Sequence, residues 1–314
     1  MRTISLGLAA AAAVTASVAL FGPYFQFVLA QTATIVIAVI SLSLLSNVAG
    51  MLSLASAGFM GVGGYGVLIF MTLAGIPLAA SAALTLAAGW VVGWLIGLVA
   101  IRLSGISLAI VTFGFVEVFQ VFAKQGGALS GDGYGLVVPP LTLPGGTPVT
   151  QGMTGLACVF TAVVVAILAT TLTRSRMGRA WYAMKEHPVA AELQGINLPL
   201  IRAQAFATAG ATAALAGILQ ALLLGITNPN LYTIDVSISH LAMMVIGGTS
   251  GSVAGTVVGP VLLFFLPEYF DLGSYREVLY GAVLLATLIL APRGLGGAVR
   301  LFTARLPFAV AGVK

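Results

Sequence analysis

The sequence has few charged side chains for its length. Of its 314 residues, only 7% are Asp, Glu, Lys or Arg, whereas 60% are hydrophobic. Soluble globular domains carry about 25% charged residues. A soluble protein of this size could not cover its surface with so few charges. The composition therefore excludes a soluble globular domain and predicts that most of the chain lies in hydrocarbon.

Several kinds of functional site are also missing from the sequence. The single cysteine, Cys158, excludes a disulfide framework, and no His/Cys cluster has metal-ligand spacing, so no metal site is predicted. No GxxxxGK[ST] phosphate loop and no catalytic set of side chains is found, so we predict neither an enzyme nor a cofactor bound by this chain. If ATP supplies energy, a partner must bind it.

The chain instead contains repeated apolar runs of the length that a transmembrane helix needs, roughly 20 residues. Its 39 glycines suit closely packed membrane helices. The sequence predicts an all-α, polytopic membrane helical bundle that forms one domain over 1–314, with about ten spans. Their approximate bounds are 4–21, 32–50, 55–74, 78–100, 104–123, 152–173, 201–225, 236–248, 256–270 and 276–291.

The charges that flank these runs predict an orientation. With the N-terminus in the cytoplasm, ten alternating spans put eleven of the thirteen basic residues on the cytoplasmic side, as the positive-inside rule requires. The C-terminus is then cytoplasmic as well. Because the basic residues flank spans and form no single patch, they do not indicate nucleic-acid binding. An alternative for the first run is a signal peptide, with Val28-Leu29-Ala30 as a small-residue cleavage site.

Two of the apolar runs, 55–74 and 236–270, are interrupted by glycine. Each is predicted either as full spans or as a broken helix, which membranes tolerate only where protein or a water-filled cavity surrounds it. Exposed glycine backbone suits the wall of a solute pathway, but close helix packing explains the same glycines. The candidate pathway glycines are Gly61, Gly63, Gly64, Gly247 and Gly248.

Glu117 is the only ionisable residue deep within a predicted span. A charge at that depth is costly and marks a functional position by default. At helical spacing Glu117 shares a face with Gly114, Gln120 and Lys124, so this face is predicted to point away from lipid. Glu117 and Gln120 are therefore candidates for a pathway or gate, the alternative being a structural hydrogen bond to a neighbouring span.

Two long loops join the spans. Residues 124–151 form a predicted external loop rich in Gly and Pro, and residues 174–200 form a cytoplasmic loop. Within the second loop, Pro188 and Gly195 delimit a predicted helix of about two turns over 188–194. So short a helix must pack to be stable. It is either a docking helix for a cytosolic protein or an amphipathic headgroup helix anchored by Trp181 and Tyr182.

Five sequence motifs over residues 47–297 resemble those of one transporter family. They are Asn47-x-x-Gly50-x-Leu52-Ser53-Leu54, Arg102-Leu103-x-Gly105 through Glu117, Arg176-x-Gly178-Arg179 with Glu186 through Gly195-Ile196, Ile246-Gly247-Gly248 through Gly259-Pro260, and Pro292-Arg293-Gly294. The chain resembles a branched-chain amino acid type of ABC importer permease, most closely its LivM-like branch. The family usually has Gly-His after Leu-Ser-Leu, where this chain has Ala55-Ser56.

The resemblance implies a half-channel in a bacterial cytoplasmic (inner) membrane. Its partners would be a second permease subunit, two cytosolic ATPases that hold ATP and Mg, and a periplasmic or lipid-anchored binding protein. The implied substrates are branched-chain or related amino acids, with urea and short amides in close relatives. An ion-coupled secondary transporter is the alternative. The implied ATPase-coupling residues are Arg176, Gly178, Arg179, Glu186, Ala190, Ala191, Glu192 and Gly195.

Overall fold

A computed structural model describes residues 22–103, 105–141, 149–248, 253–265 and 281. These residues are mostly helical. The ten helices are α1 (Pro23–Ser43), α2 (Ser56–Thr72), α3 (Leu78–Val99), α4 (Ile106–Gln125), α5 (Gln151–Arg174), α6 (Arg176–Glu186), α7 (Pro188–Leu193), α8 (Leu198–Leu224), α9 (Ile234–Gly247) and α10 (Val253–Pro260). Helices α1 and α10 continue as π-helical turns, Leu44–Val48 and Val261–Phe265. Short 3-10 turns cover Ala100–Arg102, Gly127–Leu129 and Pro229–Tyr232.

Five helices in these ranges are long and apolar enough to cross a membrane: α1 with its π turn, α3, α4, α5 and α8. Each coincides with a predicted span, although α1 begins at Pro23 and not at residue 32. The predicted span 4–21 and, apart from residue 281, the predicted span 276–291 lie outside the described residues. The total of ten spans and the side of the two termini therefore stay predictions.

Helix α2 passes unbroken through its glycines, and the non-helical backbone lies before it, over residues 49–55. The helix has 17 residues, which at 1.5 Å per residue span about 26 Å and fall short of a hydrocarbon core of about 30 Å. Glycine costs a helix roughly 1 kcal/mol relative to alanine, and tight packing against neighbours offsets that cost here. The glycines of the run 55–74 therefore do not break its helix, and the non-helical residues fall in the gap between the predicted spans 32–50 and 55–74.

The described residues of the run 236–270 form two short helices, α9 and α10. They pack antiparallel, because Gly247 lies against the backbone of Gly255 and Gly259 lies against the backbone of Met243. With 14 residues, α9 spans about 21 Å. The two helices were predicted as distinct segments, and the structure confirms that division.

The core is built around α8, whose small residues let the backbones of neighbouring helices approach closely. Gly217 of α8 lies against the backbone of Met60 in α2, and Gly63 of α2 lies against the backbone of Ala214. On another face, Gly93 of α3 lies against the backbone of Phe206. No side chain larger than hydrogen fits at these contacts, so the glycines fix the helix positions around α8.

The predicted external loop contains the only strand pairing in the described part of the chain. Strand β1 (Leu136–Val137) pairs antiparallel with β2 (Ile226–Thr227), which directly follows α8. Gly135 adopts a positive φ of 96° where it passes the backbone of Thr227. The loop is therefore attached to the end of α8 at the side opposite the basic loop 174–200.

Candidate functional site

Helix α6 holds the basic loop against the bundle. Ser175 caps its first turn by accepting a hydrogen bond from the Gly178 N–H at 3.3 Å. The buried indole of Trp181 donates a hydrogen bond to the Ile201 carbonyl in α8 at 3.2 Å. The headgroup-anchor alternative placed Trp181 among lipid headgroups, and this part of it is wrong because the side chain is fully buried.

Helix α7 forms between the proline and the glycine that were predicted to delimit it. Pro188 occupies the first turn, and Gly195 has the left-handed φ of 84° expected beyond a helix end. Its exposed residues include two large apolar side chains one turn apart, Val189 and Leu193, which are 72% and 85% exposed. We call Val189, Ala190, Glu192 and Leu193 the docking surface. Exposure of such apolar side chains to water is unfavourable, so this surface is suited to contact with a partner.

The residues that the family resemblance assigned to ATPase coupling differ in their exposure: some are buried and the others are exposed. Ala191 is only 3% exposed and points into the protein's own bundle, so the expectation that it contacts an ATPase directly is wrong for this structure. The reason is helical periodicity: Val189 and Leu193 share the outer side, and Ala191 lies between them on the opposite side. Gly178 is also buried, whereas the remaining assigned residues are exposed: Arg176, Arg179, Glu186, Ala190, Glu192 and Gly195.

The non-helical segment 49–55 enters the bundle, where polar side chains satisfy the backbone of α2's first turn. The Leu54 N–H donates to Thr112 Oγ1 at 2.9 Å, and the Ala57 N–H donates to Ser237 Oγ at 3.0 Å. Ser56 Oγ lies 3.2 Å from His240 Nδ1. Thr112 lies about 9 Å along α4 from its start. Irregular backbone at this depth persists because protein groups surround it.

Four of the five candidate pathway glycines lie in helix contacts within the single chain. Gly61 lies against the Phe119 ring, and Gly64 lies against the Tyr232 hydroxyl. Gly63 and Gly247 lie against neighbouring backbone, as described above, and Gly248 has a positive φ of 113° at the end of α9. All five are buried. Close packing is thus the observed role of the first four, Gly248 ends a helix, and pathway lining stays a prediction for all five.

Glu117 and Gln120 were expected on one face of α4, and the structure separates them. Gln120 is buried and its Nε2 donates to the Pro229 carbonyl at 2.7 Å, whereas Glu117 is exposed. Residues three apart on a helix differ by about 60° around its axis. Gln120 therefore lies on the side of α4 that contacts the neighbouring Pro229, whereas Glu117 lies just outside that contact.

Glu117 stands in the middle of an exposed stripe along α4, at depth in a predicted span. We call this stripe the α4 face and define it by the exposed residues Ile110, Phe113, Glu117, Val121 and Lys124. Hydrocarbon is a poor environment for a carboxylate. The α4 face therefore needs a polar environment around Glu117, which an isolated chain in lipid does not provide.

Comparison with known proteins identifies a family and several relatives. Residues 24–291 match the family model described as "Branched-chain amino acid transport system / permease component". The chain is 27% identical over 281 residues to the high-affinity branched-chain amino acid transport system permease protein LivM of Salmonella typhimurium, covering 82% of this chain and 66% of LivM. It is equally similar, at 27%, to Escherichia coli LivM over 82% of this chain and 66% of that protein.

Two further relatives broaden the group. The ribose import permease protein RbsC of Haemophilus influenzae is 27% identical over 63% of this chain and 67% of RbsC. The permease protein LivH of Escherichia coli is 32% identical over 45% of this chain and 47% of LivH. The chain spans 66% of the length of the LivM proteins it matches. No solved structure gives a significant match. Because the family model covers most of the sequence, the chain belongs to the family of branched-chain amino acid transport system permease components.

Proposed function

We propose that this chain is the membrane subunit of an ATP-driven importer of branched-chain or related amino acids, in a bacterial cytoplasmic membrane. It forms half of the translocation pathway with a second permease subunit. Two cytosolic ATPases bind ATP and Mg, and a periplasmic or lipid-anchored binding protein delivers the solute. Family membership and the names of the LivM relatives support the solute class; urea, short amides and ribose are neighbouring candidates.

The observation that carries this proposal is the docking surface on α7. A helix of 6 residues is too short to be stable alone in water, yet it exposes Val189 and Leu193 beside a basic loop. Burying each of these side chains contributes about 1.5–3 kcal/mol. A cytosolic protein with an apolar cleft fits this surface. Ion-coupled transport gives no reason for such a helix.

The second permease subunit is proposed to approach the α4 face. With a partner there, Glu117 would border a water-filled pathway and not hydrocarbon, which removes most of the cost of its charge. The apolar residues of the stripe would supply contact area on either side. A two-permease arrangement is supported by Escherichia coli LivM and LivH, which are both named as permease proteins of the high-affinity branched-chain amino acid transport system.

The Glu117 variants test this arrangement. Glu117→Leu is expected to reduce solute uptake at least tenfold, because the polar wall is lost, while membrane insertion and ATPase binding are unchanged. The matched control is Val118→Leu, which alters the adjacent, 70% exposed side chain without changing polarity. Uptake by Glu117→Leu equal to that of the control would contradict a pathway role for the α4 face.

The experiment for the proposed function is energised uptake by the complete importer in proteoliposomes. Leucine, isoleucine, valine, urea, acetamide and ribose are offered with the binding protein, with ATP present and ion gradients abolished. The proposal predicts accumulation of one solute class that requires hydrolysable ATP and withstands protonophores. Accumulation that needs a proton or sodium gradient, and proceeds without ATP, would contradict it.

A further inference from the structure

Three helix ends meet beside the docking helix at Lys185 and Asn47. The ammonium of Lys185, in the last turn of α6, donates to the Asn47 carbonyl at 2.8 Å, where the π turn of α1 ends. The buried Asn47 side chain donates to Ser43 Oγ at 3.0 Å and to the carbonyl of Gly248 at 3.3 Å, where α9 ends. One cation and one amide thus connect α6 with the ends of α1 and α9.

The chemistry of a helix end explains the Lys185 contact. The last carbonyls of a helix lack partners within it and carry partial negative charge, so a cation there is stabilising. The aliphatic part of Lys185 also contacts Gly50, which follows Asn47 by three residues. At Gly50, with φ of 74°, an added Cβ would come within 2.7 Å of Lys185 Cγ. Lys185 therefore lies against the start of the non-helical segment 49–55.

That segment leads directly to the polar start of α2. Ser56 meets His240 there, and the Ala57 N–H bonds Ser237, so the start of α2 is attached to α9. Asn47 is attached to the end of the same helix through Gly248. Movement of Lys185 would consequently displace residues 49–55 together with α9. On its other side, Lys185 precedes Pro188 of α7 by only three residues.

We propose that Lys185 is the positioning residue that transmits movement of the docked α7 to segment 49–55 and thereby opens and closes the pathway. The inference rests on the proposed function. A cavity of about 180 Å³ adjoins the contact and is lined by Gly50, Met51, Leu103, Lys185, Pro188 and Arg202. This space borders the start of segment 49–55.

A second cation near α7 offers a matched control. Arg202 Nη1 donates to the Ile101 carbonyl at 2.7 Å, where the 3-10 turn after α3 ends. Its helix, α8, already packs directly on α3, for example where Gly97 lies against Ala203. Loss of the Arg202 bond therefore leaves the two helices attached. Lys185, by contrast, connects α6 with the end of α1, and the packing of α8 on α3 does not join those two helices.

The test uses the assembled importer and a label that does not depend on the solute. Cys158→Ser removes the native thiol, and Leu52→Cys places a new one at a position of segment 49–55 whose side chain is 40% exposed. The reaction rate with a water-soluble maleimide is measured with and without ATP and vanadate. We expect nucleotide to change the rate at least threefold. Lys185→Met should reduce that change to less than 1.5-fold, whereas Lys185→Arg and Arg202→Met should retain it.

The outcomes separate this inference from the proposed function. If no ATPase is retained by the parent protein, the proposed function fails, and the inference fails with it. If ATPase is retained but nucleotide leaves the parent labelling rate unchanged, segment 49–55 does not move and only the inference is overturned. The role of Lys185 is likewise overturned if Lys185→Met keeps the full nucleotide-dependent change in labelling rate. It is also overturned if Lys185→Arg and Arg202→Met lose that change as completely as Lys185→Met does.

Discussion

Replacing Val189 and Leu193 together with aspartate is expected to reduce the ATPase that co-purifies with this permease roughly a hundredfold or more. Each side chain contributes about 1.5–3 kcal/mol when buried by a partner, and each 1.4 kcal/mol is a factor of about ten in affinity. The permease itself should still fold, because both side chains are largely exposed in the single chain. The measurement is the ratio of ATPase to permease after purification in detergent.

A matched pair of exposed apolar side chains provides the control for this prediction. Leu129 and Tyr134, in the predicted external loop, are 47% and 86% exposed. Aspartate at both positions should leave ATPase retention at the parent level. Equal retention by the Val189 and Leu193 variant and by this control would show that α7 does not bind the ATPase. Ala191→Arg is a poor probe, because it inserts a charge into the protein's own core.

Gly217→Ala is expected to destabilise the bundle despite alanine's higher helix propensity. An added Cβ at Gly217 would overlap the carbonyl of Met60, so α8 and α2 must separate. Overpacking of this kind costs about 1–3 kcal/mol, which exceeds the roughly 1 kcal/mol gained from propensity. Thermal unfolding in detergent should show a lower midpoint than that of the parent protein.

The same substitution at Gly114 should have the opposite effect. A Cβ added there meets no other atom within 4 Å, so Gly114→Ala keeps only the gain in propensity and its unfolding midpoint should not fall. If Gly217→Ala did not lower the midpoint relative to Gly114→Ala, close α2–α8 contact at Gly217 would be refuted. The pair thus distinguishes glycines required for packing from those that are not.

Local signals in the sequence account for much of the fold. Long apolar runs predict five spans whose helices form, and Pro188 with Gly195 predicts α7 within one residue of its observed end. These predictions succeed because hydrocarbon burial and helix caps depend on residues close together in the chain. The alternative of a broken helix within 55–74 is wrong, since single glycines are weak breaks in a helix that packs tightly.

Contacts between distant residues could not be derived in the same way. Ser56 and His240 are 184 positions apart, and Lys185 and Asn47 are 138 apart. Whether Ala191 faces inward, or Glu117 and Gln120 face apart, depends on which neighbour each helix meets. The position of Asn47 three residues before Gly50 was the available signal of a helix end.

Photocrosslinking tests most directly whether α7 binds a cytosolic ATPase. A benzophenone amino acid is placed at Leu193 in cells that produce the whole importer, and at Phe160 of α5, which is 43% exposed on an apolar helix, as the control. If α7 docks on the ATPase, Leu193 forms an adduct with an ATPase carrying a phosphate loop and Phe160 forms none. Adducts at Leu193 with lipid alone, under conditions that keep the importer assembled, would identify α7 as a headgroup helix and contradict its docking on an ATPase.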